Sequence, residues 1–384
     1  MNREDFPMLK QPYIYFNSAA TTYTPQVVID KINDYYQNYN VNLGRGVNQL
    51  SYQVTEMYEK VRLDLADFLK INKTNLIFVR GTTEGINFIA NHLEKKLKKG
   101  DQILITNEEH HSLFVTMQQL ALKNNLEFKV VDFEQLENSI TAKTKLVATS
   151  HYTNVLGKRS NLEKLVSLKK QYPFELLVDG AQGIVHQLID LKEIDYYTFS
   201  GHKIYGPNGV GVLYVKDIEN LTPYHYGGEM VNIVLEDKST FKEAPYCFEA
   251  GTMMIPEVLG LGEAIKYIKK IGYLKINNHI KKLRDYLIVE LKKIDQMIIY
   301  NETIDSHFIT FNIKNIHAHD IATFLDQNNI IVRAGHHCAS PLNEKLNVSA
   351  TVRISLGLYN TIEECQILIE TLKRKGAYLD ELFK

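Results

Sequence analysis

The chain has 384 residues, 45% of them apolar and 23% charged, with a formal net charge of −1. This is globular composition, long enough for two or three domain-sized cores, and near-zero charge leaves no electrostatic footprint for nucleic acid or an acidic membrane. The Lys-rich stretches Lys95–Lys99 and Lys281–Lys293 read as solvated helix faces, "MNREDFPMLKQ" has no apolar leader, and no run approaches 18 apolar residues, so a soluble, cytoplasmic protein is expected, with no nucleic-acid or membrane partner.

In chain order, short β-rich runs alternate with amphipathic helical stretches. "NLIFV" (Asn75–Val79) leads into a helix near Thr83, and "QILIT" (Gln102–Thr106) into a helix over His111–Asn125. "KLVATS" (Lys145–Ser150), "FELLVD" (Phe174–Asp179) and "YYTFS" (Tyr196–Ser200) are apolar runs, each ended by a polar residue. Such runs, buried on both faces and separated by helices, predict a mostly parallel sheet in an α/β fold. From about Glu257 to Ile294 the pattern is one long helical connector. A smaller α+β unit follows, with "HFITFNI", a helix over His319–Asn328, "IIVRAG", "TVRISLG" and a last helix from Thr361.

Ligands in open α/β sheets sit beyond the carboxyl ends of the strands, so the polar residues there are the candidates for chemistry. Lys203, in "FSGHKIYGPNGVGVLYV", stands just past a strand end among small and polar groups; it reads as a Schiff-base amine or as an ordinary turn lysine. Asp179 in "LLVDGAQG" either caps the next helix or holds a pyridine nitrogen protonated, with Gln182 donating to a ring hydroxyl. "RGTTEGIN" offers backbone N–H groups at a helix start for an anion, "NEEHHS" two histidines for stacking, and "SHYTNVLG" the amide of Asn154.

"RAGHHCASP" (Arg333–Pro341) holds one of three cysteines. Three consecutive residues direct their side chains poorly to one metal ion, and no fourth ligand stands at zinc spacing; nothing marks the oxyanion hole of a thiol protease. A buried structural cysteine suits Cys247 and Cys365 better than Cys338. Three cysteines make no disulfide framework, which fits a reducing compartment.

Taken together, "YFNSAATTYTP", "GRGVNQLS", "TTEGIN", "EEHHS", "SHYTNVLG", "DGAQ", "SGHKIYGPNGVGVLYV", "YGGEM", "FEAGT", "RAGHHCASPL" and "VRISLGLYNT" resemble the class V pyridoxal-phosphate enzymes of fold type I. Among these the chain is similar, nearly end to end, to the Suf-type cysteine desulfurases, the group with selenocysteine lyase activity. The resemblance implies an N-terminal segment (1–17) packing on the small domain, a large cofactor-binding domain (18–270) with a seven-stranded-type sheet, and a small C-terminal domain (271–384). It implies pyridoxal 5'-phosphate bound as a Schiff base to Lys203, with Asp179 on the pyridinium, Gln182 on the ring oxygen and His110 stacked on the ring. Thr82, Thr83, Ser200 and His202 would bind the phosphate, helped by Thr252 from the other subunit of a homodimer. Asn154 and Arg353 would hold the carboxylate of L-cysteine, and Cys338 would take its sulfur as a persulfide.

The implied reaction yields L-alanine and passes sulfur to a small acceptor protein of Suf type, toward iron–sulfur cluster assembly or other sulfur trafficking. The alternatives are a selenocysteine lyase, another class V aminotransferase or lyase, or an inactive scaffold paralogue. The chain departs from the family pattern at Asn48, where histidine is usual, at Cys247, where arginine is usual, and at Lys158, where a small hydroxyl residue is common. It is also short between Leu126 and Lys145.

Overall fold

The computed structural model describes residues 2–44 and 48–374; residues 45–47 of "GRGVNQLS" and the last stretch of the expected small domain, 375–384, lie outside the described residues. The main sheet has seven strands: β1 (Leu76–Val79), β2 (Gln102–Thr106), β3 (Glu127–Val131), β4 (Thr144–Ser150), β5 (Glu175–Asp179), β6 (Tyr196–Ser200) and β7 (Gly211–Val215), in the order β1-β7-β6-β5-β4-β2-β3. The strands from β6 to β3 run parallel, and β7 is antiparallel to both its neighbours. Alternate residues feed different cores: Leu76 and Phe78 of β1 pack on one face, Ile77 and Val79 on the other. That two-sided burial is why these runs read as continuously apolar. The edge strand β3 is the exception, largely uncovered.

Two features of this topology aim residues at one spot. The chain leaves β2 for β3 on one side and returns to β4 on the other, so a switch point opens between the ends of β2 and β4, where α/β sheets bind ligands. The reversed β7 separates β1 from β6, so both point the same way and their C-terminal ends lie side by side. Gly211 makes that approach possible, since a Cβ there would stand 2.4 Å from the Phe199 carbonyl oxygen and 2.7 Å from the Gly81 Cα.

The expected single connector is two helices, Ile255–Ile271 and Tyr273–Leu291, because Gly272 adopts φ +83° and ends the first. They lead to an antiparallel four-stranded sheet of β8 (Met297–Ile299), β9 (Phe308–Ile313), β10 (Arg333–Gly335) and β11 (Thr351–Ser355), in the order β8-β9-β11-β10. The N-terminal segment reaches this region: Ile14–Tyr15 pairs in parallel with Ile330–Ile331, and Asn17 bridges to Ser355.

Arg62, on the helix Gln49–Leu69, is fully buried and forks onto both oxygens of Glu249 at 2.8 Å. It also donates to the Leu76 carbonyl at 3.0 Å, while Glu249 accepts the Phe78 N–H at 2.9 Å. This pair ties the helix and the segment before Ile255 to β1. Removing one member strands a buried charge, so Arg62→Ala is expected to cost about 3–5 kcal/mol in urea unfolding, and Arg62→Ala with Glu249→Gln distinctly less. Equal losses in the two variants would contradict the pairing.

Candidate active site

At the switch point lies a cavity of about 210 Å³ whose walls include Lys203, Asp179, Gln182, His110, Asn154 and Arg353. Thr82, Thr83, Ser200, His202 and Arg333 line it too, so five strand ends and the second sheet contribute to one enclosure.

At the far end of β1, the Thr82 N–H donates to Ser200 Oγ at 2.9 Å, and the two hydroxyls are 2.8 Å apart. Gly81 (φ +155°) begins this turn, and a Cβ on it would sit 3.0 Å from Ser200 Oγ. The result is a cradle of N–H and O–H groups at the start of the helix Thr82–Lys96, beside the buried, unpartnered Nδ1 of His202. The His202 carbonyl accepts from the Thr22 N–H at 2.9 Å, which stitches the lysine turn to the N-terminal segment.

Lys203 follows in the short turn Gly201–Lys203. Burial pushes its amine below the ordinary lysine range, and the Asp179 carboxylate opposes that shift. Asp179, ending β5 and buried, is pushed up by burial and drawn down by Lys203. Its Oδ1 accepts the Ala181 N–H at 2.9 Å in a local turn, but it does not cap the next helix, Gly183–His186, whose N-cap position is Gln182. Gln182 donates to the Ala19 carbonyl at 2.8 Å, which fixes its amide at the wall.

His110 caps the helix His111–Asn124, with Nδ1 accepting the Ser112 N–H at 3.1 Å. Burial, with Lys203 adding, drops its pKa to about 3, so the imidazole is neutral, and this contact leaves the proton on Nε2. Behind it Glu109 is fully buried and receives hydrogen bonds from Thr106 (2.7 Å), Thr149 (3.2 Å) and both the N–H and hydroxyl of Ser150.

The second sheet supplies two guanidiniums. Arg333 on β10 and Arg353 on β11 are register partners, so both reach the cavity from one face. Arg353 is fully buried and donates to the Asn154 carbonyl at 2.5 Å, but its Nε and Nη2 have no partner, nor has Asn154 Oδ1. Burial and the neighbouring Arg333 press Arg353 below the usual arginine value. An enclosed cation with two unfilled donors is built for an anion.

Arg333 Nη2 lies 3.4 Å from Cys338 Sγ, which brings the thiol to the edge of this site, half-buried. His337 is no partner for that thiol: it is buried, its Nε2 donates to the Thr351 carbonyl at 2.9 Å, and burial lowers its pKa to about 2. His336 is exposed. Of the residues expected to hold cofactor or substrate, Thr252 alone lies outside the cavity, exposed on the protein surface.

The chain belongs to the class-V aminotransferase family. Its residues 14–368 match that family, Aminotransferase class-V. It is 39% identical to a probable cysteine desulfurase of Halalkalibacterium halodurans, covering 98% of each chain. Among solved structures it is similar to the apo cysteine desulfurase of Thermococcus onnurineus NA1 (TM-score 0.93, 34% identity, 97% of each chain). It also resembles the cysteine desulfurase CsdA (S-sulfonic acid) of Escherichia coli (TM-score 0.91, 31% identity, 98% of this chain and 97% of that one).

Members of this class-V family depend on pyridoxal phosphate, and the residues here fit it. The Gly81–Thr82–Ser200 cradle suits a phosphate, Asp179 suits a protonated ring nitrogen, His110 offers a neutral ring to stack, and Lys203 is a desolvated amine.

Of the departures from the family pattern, Asn48 is an exposed N-cap whose Oδ1 accepts the Ser51 N–H at 2.8 Å. Cys247 is a half-buried thiol pushed up by burial to about 11. Lys158 pairs with buried Glu108 at 2.5 Å and with Glu134, closing the loop that carries Asn154. Sequence reasoning gave no role to Arg333 or Glu109. Arg333 is recognisable only through its register with Arg353, while Glu109, in "EEHH", carried the weak signal of a carboxylate at an apolar strand end.

Burial holds the Glu109 carboxyl up at about 7, against 4.5 for an exposed glutamate. The folded protein therefore binds more protons here than the unfolded chain between those values, and this contribution to stability falls by about 3 kcal/mol as pH rises through them. Subtracting the Glu109→Gln unfolding free energies from the wild type should expose that fall between pH 4.5 and 8; parallel curves would contradict it.

Proposed function

We propose that the protein is a pyridoxal-phosphate-dependent cysteine desulfurase that takes sulfur from L-cysteine onto Cys338 and releases L-alanine. The observation that carries this reading is the meeting of a thiol, two guanidiniums and a desolvated lysine–carboxylate pair around one cavity. An aminotransferase or a simple lyase has no use for the thiol.

When bound, pyridoxal phosphate supplies an electron sink for the electrons at the substrate Cα. The chain's own groups do the rest. Arg353, with its free Nε and Nη2, and Asn154 take the substrate carboxylate and fix the Cβ–S bond. Lys203, its pKa lowered by burial, takes the Cα proton as an amine and returns it as an ammonium. Asp179 holds positive charge opposite it. The Cys338 thiolate attacks the substrate sulfur: an S–S bond forms as the Cβ–S bond breaks with its electron pair on carbon, and protonation of Cβ leads to L-alanine. Arg333 Nη2 lies beside Sγ.

The same reading extends to the rest of the molecule. We divide the chain at 1–17, 18–270 and 271–384. Thr252, exposed and apart from its own cavity, serves the phosphate site of a second copy in a homodimer. A small acceptor protein removes sulfur from the half-buried Cys338, and the setting is the cytoplasm.

Two measurements check this. Mass spectrometry after incubation with L-cysteine should find one extra sulfur on the Cys338 peptide, with alanine formation reduced at least about a hundredfold in Cys338→Ala. Full turnover of that variant with a reductant would refute the persulfide route. Sedimentation should give a two-chain particle, with Thr252→Ala binding pyridoxal phosphate several-fold more weakly by roughly the worth of one charge-assisted hydrogen bond. A monomer with full cofactor affinity would refute the shared site.

A further inference from the structure

The segment bearing Cys338 is conformationally costly. Gly335 has φ +122°, and His337 and Cys338 are consecutive non-glycine residues at φ +51° and +58°. L residues visit that left-handed region rarely and hold it only when their surroundings over-determine it. The turn's local hydrogen bond, Ala339 N–H to the His336 carbonyl at 2.9 Å, does not explain where the thiol is held relative to the cavity.

The fixing contacts come from segments that follow strands of the main sheet. Asn154 Nδ2 donates to the His337 carbonyl at 2.6 Å, and the backbone N–H of His111 donates to the Cys338 carbonyl at 2.7 Å. The His111 imidazole then takes the far side of the cysteine: its Nε2 accepts the Ser340 N–H at 3.2 Å and stands 3.1 Å from the Ser340 hydroxyl. A backbone N–H can only donate, so Nε2 is bare and the ring carries its proton on Nδ1. Beneath this clasp Val155 and Leu156 pack on Ala339 and Leu342, a small apolar seam between the two sheets.

We propose that His111 is a positioning residue for Cys338, its backbone N–H and imidazole Nε2 bracketing the cysteine on both sides and holding the left-handed turn that points Sγ at the substrate sulfur. His111 does not line the cavity. His110 faces the cavity while its neighbour His111 turns to the thiol segment, so the paired histidines of "EEHHS" divide the work between ring and nucleophile. The inference rests on the desulfurase reading only for the purpose of the clasp, not for its existence.

Two oxygen-bearing variants separate positioning from general damage. The side-chain oxygen introduced by His111→Gln reaches as far as Nε2, whereas the shorter one of His111→Asn stops short of Ser340. Each holoenzyme is assayed in two ways: Cys338 alkylation by iodoacetamide without substrate, followed by peptide mass spectrometry, and kcat and KM for alanine formation from L-cysteine with dithiothreitol. His111→Asn is expected to alkylate several-fold faster and to lose about tenfold in kcat with KM within about twofold, because only the sulfur-transfer geometry is lost. His111→Gln should stay within about threefold of wild type in both assays. Equal behaviour of the two variants, or a fall in kcat with unchanged alkylation, overturns the proposal. Wild-type protein that makes no alanine from L-cysteine overturns the desulfurase reading instead, and the alkylation comparison still decides the clasp.

Discussion

The site depends on keeping an amine and a carboxylate together where little water reaches them. Burial alone would neutralise both Lys203 and Asp179, lowering one pKa and raising the other, and each charge partly restores its partner. A lysine in that balance gives up its proton more readily than a solvated lysine does. The pair survives in the fold because it sits at the C-terminal strand ends, where the sheet's own hydrogen bonds stop and a cavity opens. The reversal of β7 and the bare Cα of Gly211 allow the β1 and β6 ends to close around it.

The second sheet answers with charge of one sign. Arg333 and Arg353, opposite each other in register, bring two cations to a cavity that already holds Lys203. Asp179 balances only one of the three. Arg353 keeps Nε and Nη2 without partners, the unfilled donors of that imbalance. The Cys338 thiol is held beside Arg333, so the same strand pair brings the cations and the thiol to one place.

Much of this was legible in the residues. Apolar runs ended by Asp179, Ser200 or Ser150 announced parallel strands whose ends carry chemistry, and the family resemblance implied that Lys203, His110, Asn154 and Arg353 share one site. The connector was legible only as helix; its break at Gly272 was not, because a glycine between two amphipathic stretches reads equally as an interior residue. Asp179 had two sequence readings, helix cap and cofactor partner; the residue lines the cavity and closes only a local turn on Ala181, because the next helix starts after Gln182. Of the two histidines in "RAGHHCASP", His337 is a buried strut on Thr351 and His336 faces solvent, a distinction that strand pairing makes and composition cannot.

By itself the sequence determined the alternation of strands and helices, the family, and which side chains stand at strand ends, because periodicity and turn chemistry are local. Tertiary structure alone decided which of those side chains are desolvated and which are paired. Arg333 beside Cys338, His111 on Ser340, Glu109 among four donors and Thr252 apart from its own cavity are products of register and packing between distant segments. Burial and partnership set pKa, and they are properties of where the chain crosses itself, not of any stretch along it.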